Sequence, residues 1–351
     1  MRASARNAAA MFWATGLAPA KSADRFGQCR KPYNMDILFA VTGLVVLLLA
    51  GDALVRGAVN LGLRLGIPAL LVSLTVVAFG TSAPELLVAI KAMLDNAPGI
   101  AVGNVVGSNI ANVLLVLGVP ALMAGIDSAR CDSRKTYSFM LATTVIFIAL
   151  CFSGPLYYWQ GVILLALLAA MLAETVLTAQ KHRKNGEKLP EEHAEVLEGA
   201  DPSMPYWKVV MFLVLGLVGL SLGADLLVDG AVGIAREFGL SEAVIGLTLV
   251  AIGTSLPELA TTVMAALRRH ADVALGNVIG SNIFNILAIM GVTSFFGPVE
   301  IDQDFLSFDL WVMLAAALVI APFVFGKYNI TRLWGGILSA LYLLYILMLL
   351  G

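Results

Sequence analysis

Long apolar runs separated by short polar loops dominate this chain from residue 37 to its end. A helix needs about 20 mostly apolar residues to cross a bilayer, because the hydrocarbon core is about 30 Å thick and each residue rises about 1.5 Å. Stretches that contain Gly and Pro are expected to be broken helices. The pattern predicts ten transmembrane helices: 37–59, 68–94, 99–124, 137–154, 157–179, 206–235, 243–267, 273–297, 307–326 and 331–350.

One longer polar stretch, residues 181–205, carries a basic KHRK run followed by six acidic residues. We predict that it is a solvated loop between two five-helix halves, residues 35–180 and 206–351. Residues 1–34 form an atypical extension that is basic and only mildly apolar. The predicted fold class is therefore an all-α polytopic membrane protein.

The composition indicates a membrane protein and argues against a nucleic-acid-binding protein. Of 351 residues, 59% are hydrophobic and 13% are charged, against roughly 25% charged in a soluble domain. The net charge of −2 and the lack of a long basic stripe exclude nucleic acid as the main partner. Cys29, Cys131 and Cys151 form no CxxC pair, so neither a disulfide framework nor a zinc site is indicated.

The distribution of Lys and Arg predicts the orientation, because short cytoplasmic loops collect these residues. If the first helix starts outside, the outer loops and helix ends carry only Lys91 and Arg236. We therefore predict that both termini lie outside and that residues 181–205 are cytoplasmic. The inner loops and helix ends carry Arg56, Arg64, Arg130, Arg134, Lys135, Lys181, Arg183, Lys184, Lys188, Lys208, Arg268, Arg269, Lys327 and Arg332.

Residues 1–34 disagree with this orientation, because their six Lys and Arg residues would lie outside. One interpretation is a targeting leader, although the basic stretch at 25–31 fits no clean signal-peptide cleavage site. The other is that translation begins at Met35, which removes the basic arm. Mass spectrometry of the native N-terminus distinguishes the two.

The chain contains an internal repeat at a shift of 173 residues. GDALVRGAV at Gly51 matches ADLLVDGAV at Ala224, and 30 of the 68 positions from Gly51 to Gly118 are identical to their partners. Five predicted helices separate equivalent points, so the second copy is inverted relative to the first. Secondary transporters are built in this way, with binding sites near the midplane on discontinuous helices. The repeat therefore predicts alternating access.

Two acidic residues lie deep in apolar helices at equivalent positions of the repeat. They are Glu85 in VAFGTSAPEL and Glu258 in VAIGTSLPEL. A carboxylate inside the membrane is costly by a few kcal/mol and usually marks an ion path. Two adjacent carboxylates repel, and one holds a proton unless cations lie between them. The pair predicts a central cation site.

Neighbouring residues can supply the further oxygens that a hard cation such as Ca²⁺ requires. Pro84 and Pro257 disrupt helical bonding, so carbonyls at 78–81 and 251–254 are expected to be free. GNVVGSNIAN and GNVIGSNIFN place a serine and an asparagine four residues apart on one helical face. For each small or polar residue, packing between helices is an equally good explanation. The candidate side-chain oxygens belong to Thr81, Ser82, Thr254, Ser255, Ser108, Asn112, Ser281 and Asn285.

A second acidic pair, Asp52 and Asp225, also matches across the repeat. These residues lie nearer the membrane ends of the first and sixth predicted helices. We interpret them as solvated helix-end residues rather than as ion ligands.

At these residues the sequence resembles the cation/calcium exchanger superfamily, specifically the sodium/calcium exchanger-like branch of prokaryotes. The resemblance rests on GTSAPE and GTSLPE, followed by GNVVGSN and GNVIGSN, and extends from about Met35 to the C-terminus. It implies that Ca²⁺ and Na⁺ bind alternately in overlapping central sites. It also implies that the first and sixth helices slide as a pair to switch access, and that the protein lies in the plasma membrane, the inner membrane of a bacterium.

The resemblance also assigns ligands position by position. Glu85 and Glu258 would be the shared acidic ligands, and Asn112 and Asn285 would lie at the middle. Potassium-dependent relatives carry Asp at the position of Asn285, which weakens the case for potassium co-transport. The remaining ligands would form one sodium site from Ala78, Thr81, Ser82 and Ser108, and its partner from Ala251, Thr254, Ser255 and Ser281.

The predicted function is secondary-active exchange of Na⁺ for Ca²⁺, with no resident cofactor and no obligatory protein partner. A proton-coupled divalent-cation antiporter would use the same glutamates, but such relatives typically carry a Glu-containing GN motif that this chain lacks. A channel would also place acidic residues on its pore, yet the inverted repeat favours a carrier. No HExxH, GxSxG or Walker A motif is present, so an enzyme is not indicated.

Overall fold

The computed structural model describes residues 33–65, 69–94, 98–184, 201, 203–237, 253 and 255–350. Helices dominate these residues. The π-helical stretches are Ser73–Val77, Asn112–Val116, Asn285–Met290 and Phe305–Asp309, and Ser128–Arg130 is a 3-10 turn. The α-helices are α1 (Tyr33–Leu65), α2 (Ala69–Val72), α3 (Ala78–Thr81), α4 (Ala83–Leu94), α5 (Pro98–Ala111), α6 (Gly118–Ala124), α7 (Arg134–Phe152), α8 (Tyr158–Lys184), α9 (Tyr206–Glu237), α10 (Leu256–Leu267), α11 (Ala271–Phe284), α12 (Gly291–Thr293), α13 (Leu310–Val319), α14 (Ala321–Phe325) and α15 (Arg332–Leu350).

The described residues contain eight helical spans that are long and apolar enough to cross a membrane. The bent pair Ser73–Thr81 and Ala83–Leu94 raises the number to nine when it is taken as one span. The predicted helix at 243–267 lies partly outside the described residues, and α10 alone is shorter than a span. The all-helical membrane fold is confirmed, whereas the count of ten stays a prediction.

Two predicted boundaries differ from the structure. Helix α1 extends beyond the predicted 37–59 at both ends. Helix α8 continues to Lys184, so the predicted loop at 181–205 begins too early. The apolar pattern of a helix ends at the edge of the lipid, but the helix itself can continue into water. Basic residues at its C-terminal end are stabilised there by the helix dipole.

The third and eighth predicted spans form the centre of the molecule. In α11 every residue from Val273 to Phe284 is buried, and α5 is mostly buried. The long helices α1 and α9 lie at the periphery and expose apolar side chains such as Leu49 and Leu215. This burial pattern suits a bundle whose outer helices face lipid.

Small residues let α1 and α9 pack closely along their length. A Cβ atom on Gly216 of α9 would lie 2.7 Å from Leu54 Cβ of α1, and one on Gly43 would lie 2.4 Å from the Leu227 nitrogen. Small residues permit this approach of backbones in membrane helices. The two helices therefore form one paired layer on the outside of the bundle.

Equivalent parts of the sequence repeat form equivalent elements. Helices α4 and α10 each have 12 residues, α5 and α11 each have 14, and the second member of each pair starts 173 residues after the first. The loops also pair reciprocally through isolated bridges, Ile126 with Ile330 and Leu156 with Val299. These are the only β-type pairings in the described part of the chain.

Candidate cation-binding site

Each glutamate lies in the first turn of a helix, shortly after a serine with non-helical backbone angles. Ser82 separates α3 from α4, and Ser255 precedes α10, with nearly identical backbone angles of φ −85°, ψ 4° and φ −90°, ψ 5°. Pro84 contributes to the break because it has no N–H to donate to the preceding turn. The segments on either side of Ser82 meet at 46°. In the first copy the helix is thus interrupted where the sequence places the acid.

Both carboxylates are buried and interact with each other. Glu85 and Glu258 are each 1% exposed and lie close enough for electrostatic repulsion. The Ser82 hydroxyl donates a hydrogen bond to Glu258 Oε1 at 3.1 Å, which links the two halves. Thr81 and Ser281 lie near the same carboxyl group. Side chains from both copies of the repeat are therefore in contact here.

Four asparagines cross-link the centre of the bundle. Asn112 Nδ2 donates to Asn282 Oδ1 at 3.1 Å, and in the mirrored contact Asn285 Nδ2 donates to Asn109 Oδ1 at 3.1 Å. Asn112 and Asn285 each begin a π-helical stretch. Because their amide nitrogens are held in this way, their carbonyl oxygens are fixed in the opposite direction.

Five side-chain oxygen atoms of the predicted site are buried without a hydrogen-bond partner. They are Glu85 Oε2, Glu258 Oε2, Asn112 Oδ1, Asn285 Oδ1 and Ser281 Oγ, out of eight such side-chain atoms among the described residues. A buried unpaired polar atom costs about 1–3 kcal/mol. These five oxygens are therefore candidate ligands for a cation.

The chemistry of these groups suits hard cations. All five atoms are oxygens, and Ca²⁺ is bound by carboxylate, carbonyl and hydroxyl oxygens. Among the described residues no group of three or more His, Cys, Asp or Glu could hold a metal ion. The candidate donor set consists of two carboxylates with neutral oxygens.

The Ala78 carbonyl, which was predicted to be free, accepts hydrogen bonds in the structure. The Ala78 oxygen accepts the Ser82 N–H at 3.0 Å and the Thr81 hydroxyl at 3.3 Å. The chain closes one more helical turn than expected because the break falls at Ser82. The carbonyl that Pro84 leaves without an i+4 donor is that of Gly80.

The remaining predicted residues are buried where the structure describes them. Ser108 is 6% exposed and Ser255 is 3% exposed. Ala251 and Thr254 lie outside the described residues. Their roles as ligands stay a prediction.

Two asparagines that were not predicted from the sequence, Asn104 and Asn277, hold the backbone next to the glutamates. Asn104 Nδ2 donates to the Glu85 carbonyl at 3.1 Å, and Asn277 Nδ2 donates to the Glu258 carbonyl at 3.2 Å. Asn277 also accepts from Thr81 Oγ1 at 3.4 Å. Both residues stand in the repeated GN dipeptide, so their recurrence was the available signal.

Asp52 does not fit the interpretation as a solvated helix-end residue. It forms ion pairs with Arg56, at 3.0 Å, and with Arg268 at the end of α10, and its side chain is 19% exposed. Its counterpart Asp225 is exposed, as expected. The two equivalent acids therefore occupy different environments.

Comparison with known proteins points to one family. A family model described as "Sodium/calcium exchanger protein" matches residues 35–176 and 208–351. The putative antiporter CaxA of Alkalimonas amylolytica is 39% identical over 304 residues, which cover 86% of this chain and 94% of that protein. The sodium/calcium exchanger MaX1 of Methanosarcina acetivorans is 32% identical, over 90% of this chain and 99% of its own.

A solved structure agrees with the sequence matches. The sodium-calcium exchanger NCX_Mj, soaked with zero Na⁺ and Ca²⁺, superposes with a TM-score of 0.75 at 31% identity. The match covers 90% of this chain and 99% of that one.

Proposed function

This chain belongs to the sodium/calcium exchanger family, and from that premise we propose that it is a secondary-active antiporter that exchanges Na⁺ for Ca²⁺ at the site of Glu85 and Glu258. The family consists of transporters rather than enzymes, and the protein is an integral membrane protein. The observation that carries the proposal is the set of five unpaired buried oxygens, which includes one from each glutamate.

Competition between the two ions follows from the charge of the site. With both glutamates ionised the site carries −2, which one Ca²⁺ or two Na⁺ neutralise. Bound Ca²⁺ and bound Na⁺ exclude each other because they share the same carboxylates. An empty site leaves two bare carboxylates in a low-dielectric interior, which is costly. Movement with a load is therefore favoured over movement without one, and the exchange is coupled.

Alternating access between two inverted halves is part of the proposal. The equal lengths and constant offset of α4 and α10, and of α5 and α11, support it. The peripheral α1 and α9, joined through small residues, are the pair that slides. The remaining described members of the site, Ser108 and Ser255 among them, line the ion positions that the two states share.

We place the face that carries Arg56, Arg64 and Arg268 on the cytoplasmic side, following the positive-inside rule. Arg64 contacts the carbonyls of Ser203 and Met204, at the end of the 181–205 segment, with 2.7 Å to the Met204 oxygen. This contact supports the assignment of that segment and of Arg64 to one face. Both termini then lie outside, in a plasma membrane.

The function is tested by radioactive Ca²⁺ uptake into proteoliposomes. One set is loaded with Na⁺ and diluted into medium free of Na⁺ and K⁺ at matched pH; a parallel set has a Na⁺-free interior and an imposed pH gradient. We expect uptake only in the sodium-loaded set. Uptake only with the pH gradient would support the proton-coupled alternative, and uptake in neither would refute Ca²⁺ exchange.

A further inference from the structure

An ion-pair network joins α1 to α10 at one mouth of the bundle. Asp52 of α1 contacts both Arg56, one turn along the same helix, and Arg268, which follows the last residue of α10. The Arg268 side chain is 17% exposed and that of Asp52 is 19% exposed, so water only partly screens the pair. The contact links a helix of the proposed sliding pair to the helix that carries Glu258.

Close backbone packing accompanies this ion pair. A Cβ atom on Gly51, the residue before Asp52, would lie 3.0 Å from the Ala260 carbonyl oxygen of α10. Ala260 is 7% exposed. Helices α1 and α10 are therefore in direct contact at Gly51 and at the ion pair.

The equivalent positions in the other copy of the repeat have the opposite character. Arg56 corresponds to Asp229, so the attractive pair of Asp52 and Arg56 becomes two like charges, Asp225 and Asp229, one turn apart. Both of these acids are exposed. Leu87, which corresponds to Ala260, is 69% exposed. The described residues of α9 and α4 thus lack the close packing of α1 on α10.

We propose that Asp52 and Arg268 act as a latch that holds α1 against α10 and biases the transporter towards the state in which this mouth is closed. Arg56 positions the Asp52 carboxylate for that contact. The proposal rests on the proposed alternating-access function, and it assigns Asp52 and Arg268 as positioning residues that do not touch the transported ion. The cycle must break the latch whenever α1 slides.

The latch predicts a change in sidedness rather than a general loss of activity. The apparent dissociation constant on each face is the intrinsic constant divided by the fraction of protein that is open to that face. The ratio of half-saturating Ca²⁺ concentrations on the two faces therefore follows the access equilibrium. Loss of one partly exposed ion pair should change this ratio by about fivefold. Affinity should improve on the face that carries Arg268.

The first test measures that ratio in proteoliposomes of one determined orientation. Arg268→Gln and Asp52→Asn should each shift it about fivefold, and the double variant should shift it no further because both changes break the same contact. Arg268→Lys should restore part of the wild-type ratio. Arg269→Gln is the matched control, since it removes the same charge from the adjacent, exposed position. An unchanged ratio in Arg268→Gln, or an equal shift in Arg269→Gln, would overturn the latch.

A second test requires no transport. Spin labels at Leu49→Cys in α1 and Leu267→Cys in α10, both exposed positions, report the distance between the helices after the three native cysteines are replaced by Ala. We expect one short distance to dominate, and Arg268→Gln to increase a longer-distance population. An identical distribution in Arg268→Gln would refute the latch even if exchange is observed. A shifted distribution in a protein that shows no exchange would refute the proposed function and leave the latch standing.

Discussion

Replacing Gly280 by Ala tests whether the geometry of the site depends on close helix contact. Gly280 precedes Ser281 in α11 and faces the broken segment before Glu85. A Cβ atom there would lie 2.6 Å from Ala78 Cβ and 2.6 Å from the Leu74 carbonyl oxygen. Carbon atoms in contact are normally about 3.5–4.0 Å apart. Because backbone atoms bound the space, the two segments must separate by about 1 Å.

The separation has two expected costs. Overpacking of this kind destabilises a core by about 1–3 kcal/mol, which should lower the Tm measured in detergent. It also moves the Ser281 hydroxyl away from Thr81 and Ser82. Because misplacement of functional groups by about 1 Å costs about a hundredfold in enzymes, we expect the half-saturating Ca²⁺ concentration to rise by at least about tenfold.

The assay is sodium-driven Ca²⁺ uptake over a range of Ca²⁺ concentrations, with a thermal melt of the same preparation. Gly336→Ala is the control, because a Cβ atom there meets only Leu122 Cδ1, at 3.7 Å. It should leave both measurements near their wild-type values. Wild-type stability and affinity in Gly280→Ala would show that the site does not depend on this close helix contact.

Two further predictions concern the glutamates and the asparagines behind them. Glu85→Gln and Glu258→Gln should each abolish exchange, because the site keeps its shape but loses half its charge. Both variants should still elute as folded species in size-exclusion chromatography. Wild-type flux in either variant would contradict the assignment of the site. Asn277→Ala should cost about 1–3 kcal/mol in thermal unfolding, and more than Asn104→Ala, since the Asn277 amide nitrogen donates two hydrogen bonds and that of Asn104 donates one among the described residues. An equal loss in both would contradict this ranking.

The apolar pattern predicted most of the described helices because a membrane imposes a simple requirement on length and composition. It predicted the broken helix around Ser82 from the nearby Gly and Pro residues. It did not predict the ends of α1 and α8, since the parts of a helix that leave the membrane carry no apolar signal. The π-helical stretches at Asn112 and Asn285 also have no signature in hydropathy.

The repeat allowed much of the candidate site to be predicted. Equivalent acids in inverted halves implied that Glu85 and Glu258 meet, and the structure buries them together. The partner of each polar group was not predictable, because hydrogen bonds such as that between Asn112 and Asn282 depend on how helices cross. The ion pair of Asp52 and Arg268 joins residues 216 positions apart, and only the packing of α1 on α10 brings them together.

Whether Glu85 and Glu258 form one shared cation site can be measured by equilibrium binding of radioactive Ca²⁺ to the purified protein in detergent, which needs no assumption about orientation or coupling. We expect one saturable Ca²⁺ per chain that Na⁺ displaces, and loss of this binding in both Glu85→Gln and Glu258→Gln. Saturable binding that persists in the double variant, or that Na⁺ does not displace, would contradict a shared two-glutamate site.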